Sequence, residues 1–282
     1  MSGVKEKVLV RNLTLGDGIP KICVPVTAHD KAELMEQIGR MKGSPCDLVE
    51  LRADFFDGDP IEALAILRRE LPEMPVLFTF RTKEEGGEKQ ISMEEYAALN
   101  RRAAGLSSLK DEEIMGREAI SHGGSAGNLT HCPSFLRADL IDLEVNRGEK
   151  FLQDLCRELQ KAEVRVIASF HDFEKTPDRD TLIGLLCRMQ ELGADVTKAA
   201  VMPRSEQDVL ELLEAAVAMK HQHADRPYIV MSMGRLGGIS RLAGALTGSA
   251  VTFATAGNAS APGQLDAALV ALVLDVLQTE HA

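Results

Sequence analysis

The stretch RVIASFHDFEKTPDRDTLIGLLCRMQELGADVTKAAVM, residues 165–202, decides the fold. Two short runs within it, RVIASFHDF (165–173) and VTKAAVM (196–202), are apolar on consecutive and not alternate positions, with a helix-length segment between them. A strand that is apolar on both faces suits a parallel sheet covered by helices, and parallel neighbours need such a crossover. The unit recurs in both directions. KICVPV (21–26), LVELRAD (48–54), VLFTFR (76–81) and LIDLE (140–144) precede it, and YIVMSM (228–233) and AVTFAT (250–255) follow. Eight runs interleaved with amphipathic segments such as KAELMEQIGRMKG, EEYAALNRRAAG and SEQDVLELLEAAVAMKH predict an α/β chain folded as a (β/α)8 TIM barrel.

Ahead of the first run, KVLVRNLTLGDGIP reads as two short strands around Gly16, Asp17 and Gly18, an N-terminal β-hairpin closing one end of the barrel. Strand starts recur every 22 to 32 residues except between the third and fourth, which lie 64 apart. An insertion near 105–135 is therefore expected in the connection before the fourth barrel strand, on the face away from the strand C-termini. The 282 residues read as one catalytic domain over 1–282.

With 32 Lys+Arg against 43 Asp+Glu the chain is net −11, which disfavours nucleic acid and anionic membrane as partners. No run approaches the roughly 20 apolar residues of a membrane helix, and MSGVKEKVLV lacks the apolar core of a secretion signal, so a cytoplasmic protein is expected. The five cysteines are scattered and without CxxC spacing, against a disulfide framework or a zinc cluster. HQH at 221–223 stands at a helix end with no other ligand cluster, and no metal site is expected there.

The residues that break the apolar strands carry the chemistry. Lys198 is the one charge in VTKAAVM. Apolar surroundings favour the neutral amine that attack on a carbonyl requires, although a lysine at a strand end also snorkels to solvent or pairs with a carboxylate. His171 lies near the C-terminal end of the neighbouring run, where an imidazole serves as acid and base or simply caps a turn. Glu50, Arg52, Arg81, Glu85 and Glu144 end other strands in the same way, either as a catalytic pocket or as a salt-bridge network. Downstream, MSMGRLGGISRLAG (231–244) places Arg241 where a guanidinium can clamp a carboxylate, and TAGNASAPGQ (255–264) has the composition of a lid with Ser260 and Gln264.

Taken together, VELRADFF, LFTFRTKEEGGE, SFHDFEKTP, GADVTKAAVMP, MSMGRLGGISRLAG and SAPGQ, in this order, resemble the type I 3-dehydroquinate dehydratase family over nearly the whole chain. The resemblance implies a hydro-lyase of the shikimate pathway, serving aromatic amino acid biosynthesis, that converts 3-dehydroquinate to 3-dehydroshikimate without a cofactor or metal and works as a cytoplasmic homodimer. It implies that Lys198 forms a Schiff base, that His171 is the general acid and base of a syn elimination, and that Glu85 orients and tunes the histidine. Glu50, Arg52 and Arg81 would hold the substrate hydroxyls and the surrounding network, and Arg241 its carboxylate. Ser260 and Gln264 would close over the ring, with Met231, Met233 and Phe253 as apolar walls. Pro25 departs from the pattern, standing on the first strand where some relatives place a serine, and so does the insertion. Two other readings compete: a Schiff-base class I aldolase barrel, which would need a phosphate site of the GRLGG kind, and a catalytically silent barrel acting as a binding module.

Overall fold

A computed structural model of the chain describes residues 6–106, 136–257 and 260–277. After the hairpin strands β1 (Val8–Val10) and β2 (Leu13–Leu15) come β3 (Lys21–Val26), β4 (Leu48–Arg52), β5 (Val76–Thr79) and β6 (Leu140–Glu144). They are followed by β7 (Arg165–Asp172), β8 (Val196–Val201), β9 (Tyr228–Ser232) and β10 (Val251–Phe253). Between them run α1 (Lys31–Met41), α2 (Pro60–Glu70), α3 (Met93–Ala103), α4 (Glu149–Lys161), α5 (Arg179–Glu191), α6 (Glu206–Ala218), the short α7 (Gly244–Thr247) and the last helix, α8 (Ala267–Val276). All eight predicted runs are strands.

Strands β3 to β10 form one parallel sheet in the order β10-β3-β4-β5-β6-β7-β8-β9. Its two edges meet where Ala250 N–H donates to the Tyr228 carbonyl at 2.8 Å, so the sheet curls into the expected barrel. The outer faces (Val49, Leu51, Phe78, Ile141, Leu143, Val166, Val230) pack under the helices. The inner faces carry Leu48, Leu77, Leu140, Ile167, Val196, Ile229 and Val251 at the strand starts, a layer that fills the lower barrel.

The hairpin plugs that lower end, as expected, with Val8, Val10 and Leu15 buried against the inner layer. Its turn is not at Gly16–Gly18. Val8 pairs with Leu15 and Val10 with Leu13, so the chain reverses at Arg11 and Asn12. Burial of Val8, Val10 and Leu15 on one face sets that register, and it outweighs the glycine signal. Arg11 takes φ 52, and its guanidinium holds the turn to Asp139 at 2.8 Å and to the Pro72 carbonyl at 2.5 Å. The expected insertion falls on residues 107–135, outside the described residues.

One device recurs at the lower rim. Asp47, Asp139 and Asp195 each precede an even-numbered barrel strand, and each carboxylate accepts from the start of the strand before it: Ile22 N at 2.7 Å, Val76 N at 2.8 Å and Val166 N at 2.9 Å. Each also donates its own N–H to the carbonyl of that same residue, at 2.9, 3.0 and 2.9 Å respectively. The pair of bonds satisfies strand-start groups that lack a ladder partner and locks the register between the two strands. Three residues beyond the three aspartates stand Glu50, Asp142 and Lys198. An odd offset along a strand reverses the face, so a clasp at the rim is coupled to an ionisable group inside the barrel.

Candidate active site

The C-terminal end of the barrel opens into a cavity of about 470 Å³, its open mouth included. Eleven of the twelve residues implied by the sequence line it: Glu50, Arg52, Arg81, Glu85, His171, Lys198, Met231, Met233, Phe253, Ser260 and Gln264. The strand period of two explains the convergence, because Glu50 and Arg52, Lys198 and Ala200, and Met231 and Met233 are inward-facing pairs on single strands. Arg241 is the exception and stands behind the wall, with Nη1 3.8 Å from Met231 Sδ.

Lys198 is 3% exposed, but its surroundings are not simply apolar as its strand suggested. Nζ lies 3.2 Å from Asp142 Oδ2 and 4.5 Å from the centre of the Phe253 ring. Asp142 comes from β6, and its Oδ1 accepts from Arg81 Nη2 at 2.8 Å and from Ser169 Oγ at 2.5 Å. Burial works to raise the Asp142 pKa, but Arg81 and Lys198 beside it prevail and hold the carboxyl below its ordinary range. Arg81 also donates to Glu144 at 3.0 Å and to Ser169 at 3.1 Å, and comes within 3.5 Å of Glu85. This buried network is the salt-bridge reading of the strand-end charges, and it shares its members with the cavity wall.

His171 Nδ1 contacts Glu85 Oε2 at 3.1 Å, and Asn146 donates to the other Glu85 oxygen at 2.9 Å. Burial pushes the Glu85 pKa up to about 8, with Arg81 opposing and Glu144 and Asp142 adding to the shift. Burial, then Arg81, Lys198 and Arg52, push that of His171 well below its ordinary value. Both shifts favour a carboxyl hydrogen-bonded to a neutral imidazole over a carboxylate–imidazolium pair. The 3-10 turn Lys83–Glu85 brings Glu85 back over Arg81, and Gly87 permits it: a Cβ there would lie 1.9 Å from the Arg81 carbonyl oxygen. Phe173, at the cavity mouth, lies on Gly86 so closely that a Cβ at Gly86 would meet its ring at 2.3 Å.

Arg52 is held by Asp54 through two bonds of 2.8 and 2.7 Å, and Glu50 accepts from Thr79 Oγ1 at 2.8 Å. Arg241 is 2% exposed. Gly237 lets its loop fold flat on Ser232, and Ser240 Oγ fixes that fold by accepting from Ser232 N at 2.9 Å. Its Nη1 and Nη2 donate to the Phe253 and Pro262 carbonyls at 3.1 and 3.2 Å, while Nε is buried without a partner. No carboxylate pairs with it among the described residues, and burial lowers its pKa to about 10, so it stays charged at neutral pH. Ser260 and Gln264 are bonded to each other twice, at 2.8 and 2.9 Å, and Arg52 reaches the Ser260 carbonyl at 3.4 Å, so their loop closes over the cavity.

Reading the strands one at a time missed Asp142, Ser169, Asn146 and Phe173. Asp142 carried the signal that marked Lys198, a charge inside the apolar run LIDLE. Ser169 and Asn146 carry none, since only the register sets Ser169 beside Lys198.

The profile of the family described as Type I 3-dehydroquinase matches residues 22–121 and 127–281. A 3-dehydroquinate dehydratase of Clostridioides difficile (strain 630) is 41% identical over 279 residues, covering 97% of this chain and 98% of that one. Its counterpart from Klebsiella pneumoniae subsp. pneumoniae is 41% identical over 275 residues, covering 96% and 98%. The crystal structure of a type I enzyme from Clostridium difficile, with covalently modified comenic acid, superposes with a TM-score of 0.81 at 42% identity, covering 97% and 98% of the two chains. A 3-hexulose-6-phosphate synthase at 14% identity and a TM-score of 0.53 shares the fold alone. No helix among the described residues is long and apolar enough to cross a membrane.

Proposed function

The chain belongs to the type I 3-dehydroquinase family, and from that premise we propose that it dehydrates 3-dehydroquinate to 3-dehydroshikimate through an imine on Lys198. It is thus a carbon–oxygen lyase of the shikimate pathway. The observation that carries the mechanism is the buried Lys198 amine, facing the same cavity as His171, with the Arg241 guanidinium behind the cavity wall.

A proton next to a ketone is weakly acidic. Condensation with Lys198 replaces the carbonyl oxygen by a cationic nitrogen, which stabilises the carbanion or enamine left when that proton is removed. His171, neutral and braced by Glu85, takes the proton and returns one to the departing hydroxyl, both on one face of the ring. Hydrolysis of the product imine restores Lys198. Glu50 and Arg52, held by Thr79 and Asp54, meet the ring hydroxyls, and Met231, Met233 and Phe253 wall its apolar side. The unpartnered Nε of Arg241 is a spare charged donor for the carboxylate. The covalent ligand in the C. difficile enzyme agrees with a nucleophile in such a site. A cytoplasmic homodimer, which the resemblance implies, belongs to the same reading and is checked by sedimentation.

Intact-mass analysis after incubation with 3-dehydroquinate and borohydride tests the mechanism. A ligand-sized gain on Lys198 is expected, lost in Lys198→Ala together with turnover, while His171→Ala keeps the adduct and loses about 10²-fold or more of the rate. A Lys198→Ala enzyme of full activity would overturn it.

A further inference from the structure

We propose that Asp142 is a catalytic residue, the fixed counter-ion that keeps the Lys198 nitrogen positively charged once it has become an imine. The proposal rests on Lys198 being the imine-forming residue.

The Lys198 nitrogen has two neighbours of consequence, the Asp142 carboxylate at 3.2 Å and the face of Phe253 at 4.5 Å, and both favour a cation there. Asp142 cannot turn away. It is 1% exposed, and its other oxygen is gripped by Ser169 Oγ at 2.5 Å and Arg81 at 2.8 Å. Arg81 does not neutralise it, because the one guanidinium also serves Glu144 at 3.0 Å and approaches Glu85. The charged and titratable groups around this point are Cys23 from β3, Glu50 and Arg52 from β4, Arg81 and Glu85 from and after β5, Tyr96 from α3, Glu144 from β6, and His171 from β7.

Charge balance shows what the carboxylate does. The ammonium lends one proton to neutral His171 so that the free amine attacks, and overall an ammonium and a ketone become an iminium and one water: the carbon–nitrogen double bond forms, the carbonyl oxygen leaves as water with the two protons that nitrogen gives up, one of them by way of His171, and the positive charge stays on nitrogen. Asp142 therefore faces one positive charge before and after condensation, so nothing in the site need reorganise. Loss of the ring proton to His171 sends an electron pair to that nitrogen, and expulsion of the hydroxyl with a proton from His171 restores the iminium. A nitrogen that lost its proton in between would be a poor electron sink. The carboxylate stabilises the form that withdraws electrons.

The test is adduct formation with 3-dehydroquinate and cyanoborohydride, which delivers hydride to iminium carbon, followed by mass spectrometry across pH 6 to 9. Adduct on Lys198 should form evenly across this range in the unaltered enzyme. In Asp142→Asn, a substitution of equal shape, adduct at pH 6 should be close to normal and fall about tenfold by pH 9. Its kcat should drop roughly a hundredfold, as when one transition-state electrostatic partner is removed. A merely structural role would lower the yield equally at every pH, so an Asp142→Asn profile parallel to the unaltered enzyme overturns the proposal. If Asp142→Asn does not fold, Ser169→Ala carries the test: it leaves the charge but frees the carboxylate to rotate, and should show a two- to fivefold decline, a flat profile again counting against it. Absence of any Lys198 adduct in the unaltered enzyme would instead sink the imine reading itself, and this one with it.

Discussion

Arg241 is the residue whose proposed part in binding stands most against comfort in the fold. Its guanidinium is buried with two backbone carbonyls, a methionine sulfur and an unpartnered Nε. A structural arginine so placed would be given a carboxylate, as Arg52 is given Asp54. Replacement by methionine relieves a desolvated charge but takes a donor from the Phe253 carbonyl and one from the Pro262 carbonyl, which keeps the Gly234 N–H, effects of opposite sign and similar size. Arg241→Met is thus expected to shift stability by less than about 1 kcal/mol. It should raise KM by roughly 10²-fold for the carboxylate substrate, a charge-assisted contact of about 2–3 kcal/mol, with a smaller change in kcat. Steady-state kinetics beside a thermal melt check this, and a large loss of stability with KM unchanged would make Arg241 a framework residue.

At the scale of elements, the rim clasps set registers that aim the site. Asp139 does most, since it accepts from Val76 N, pairs with Arg11 of the hairpin turn and pairs with Arg68, whose side chain is fully buried. Asp139→Ala leaves that guanidinium uncompensated and should cost on the order of 3–5 kcal/mol. Asp47→Ala, which chiefly loses the bond from Ile22 N, should cost only about 1–2 kcal/mol. Equal losses in urea denaturation would contradict this. The clasps also show where legibility ended. Every strand was readable because each is a run of consecutive apolar residues, and Lys198 because it interrupts one. What Lys198 touches was not readable, because Asp142 and Ser169 lie 56 and 29 positions away and meet it only through register. The hairpin turn was misplaced for the same reason: glycines report local freedom, whereas the layer that Val8 and Leu15 bury against is made by distant strands.

The whole molecule carries a cost of its site that pH reveals. Glu85 titrates near its ordinary 4.5 in the unfolded chain and near 8 in the folded one, so between these the native state holds the proton more tightly. Stability from this group is complete below about 4.5 and lost as pH rises through about 8. Glu85→Gln removes the dependence: its stability relative to the unaltered enzyme should grow across that window, by roughly 2 kcal/mol or more at pH 8, while the amide oxygen can still accept from His171. Melting curves at pH 5 and 8 decide it, and a difference that shrinks with pH would refute the assignment.

The plug at the lower end has a consequence in time. Val8, Val10 and Leu15 precede every barrel strand in the chain, yet the layer that buries them includes Val251 of the last. During synthesis the first apolar residues must wait, uncovered, until the final strand has closed the ring, because no partial barrel offers them a complete surface. Such long-range closure is slow, and completion of this core waits on the last barrel strand.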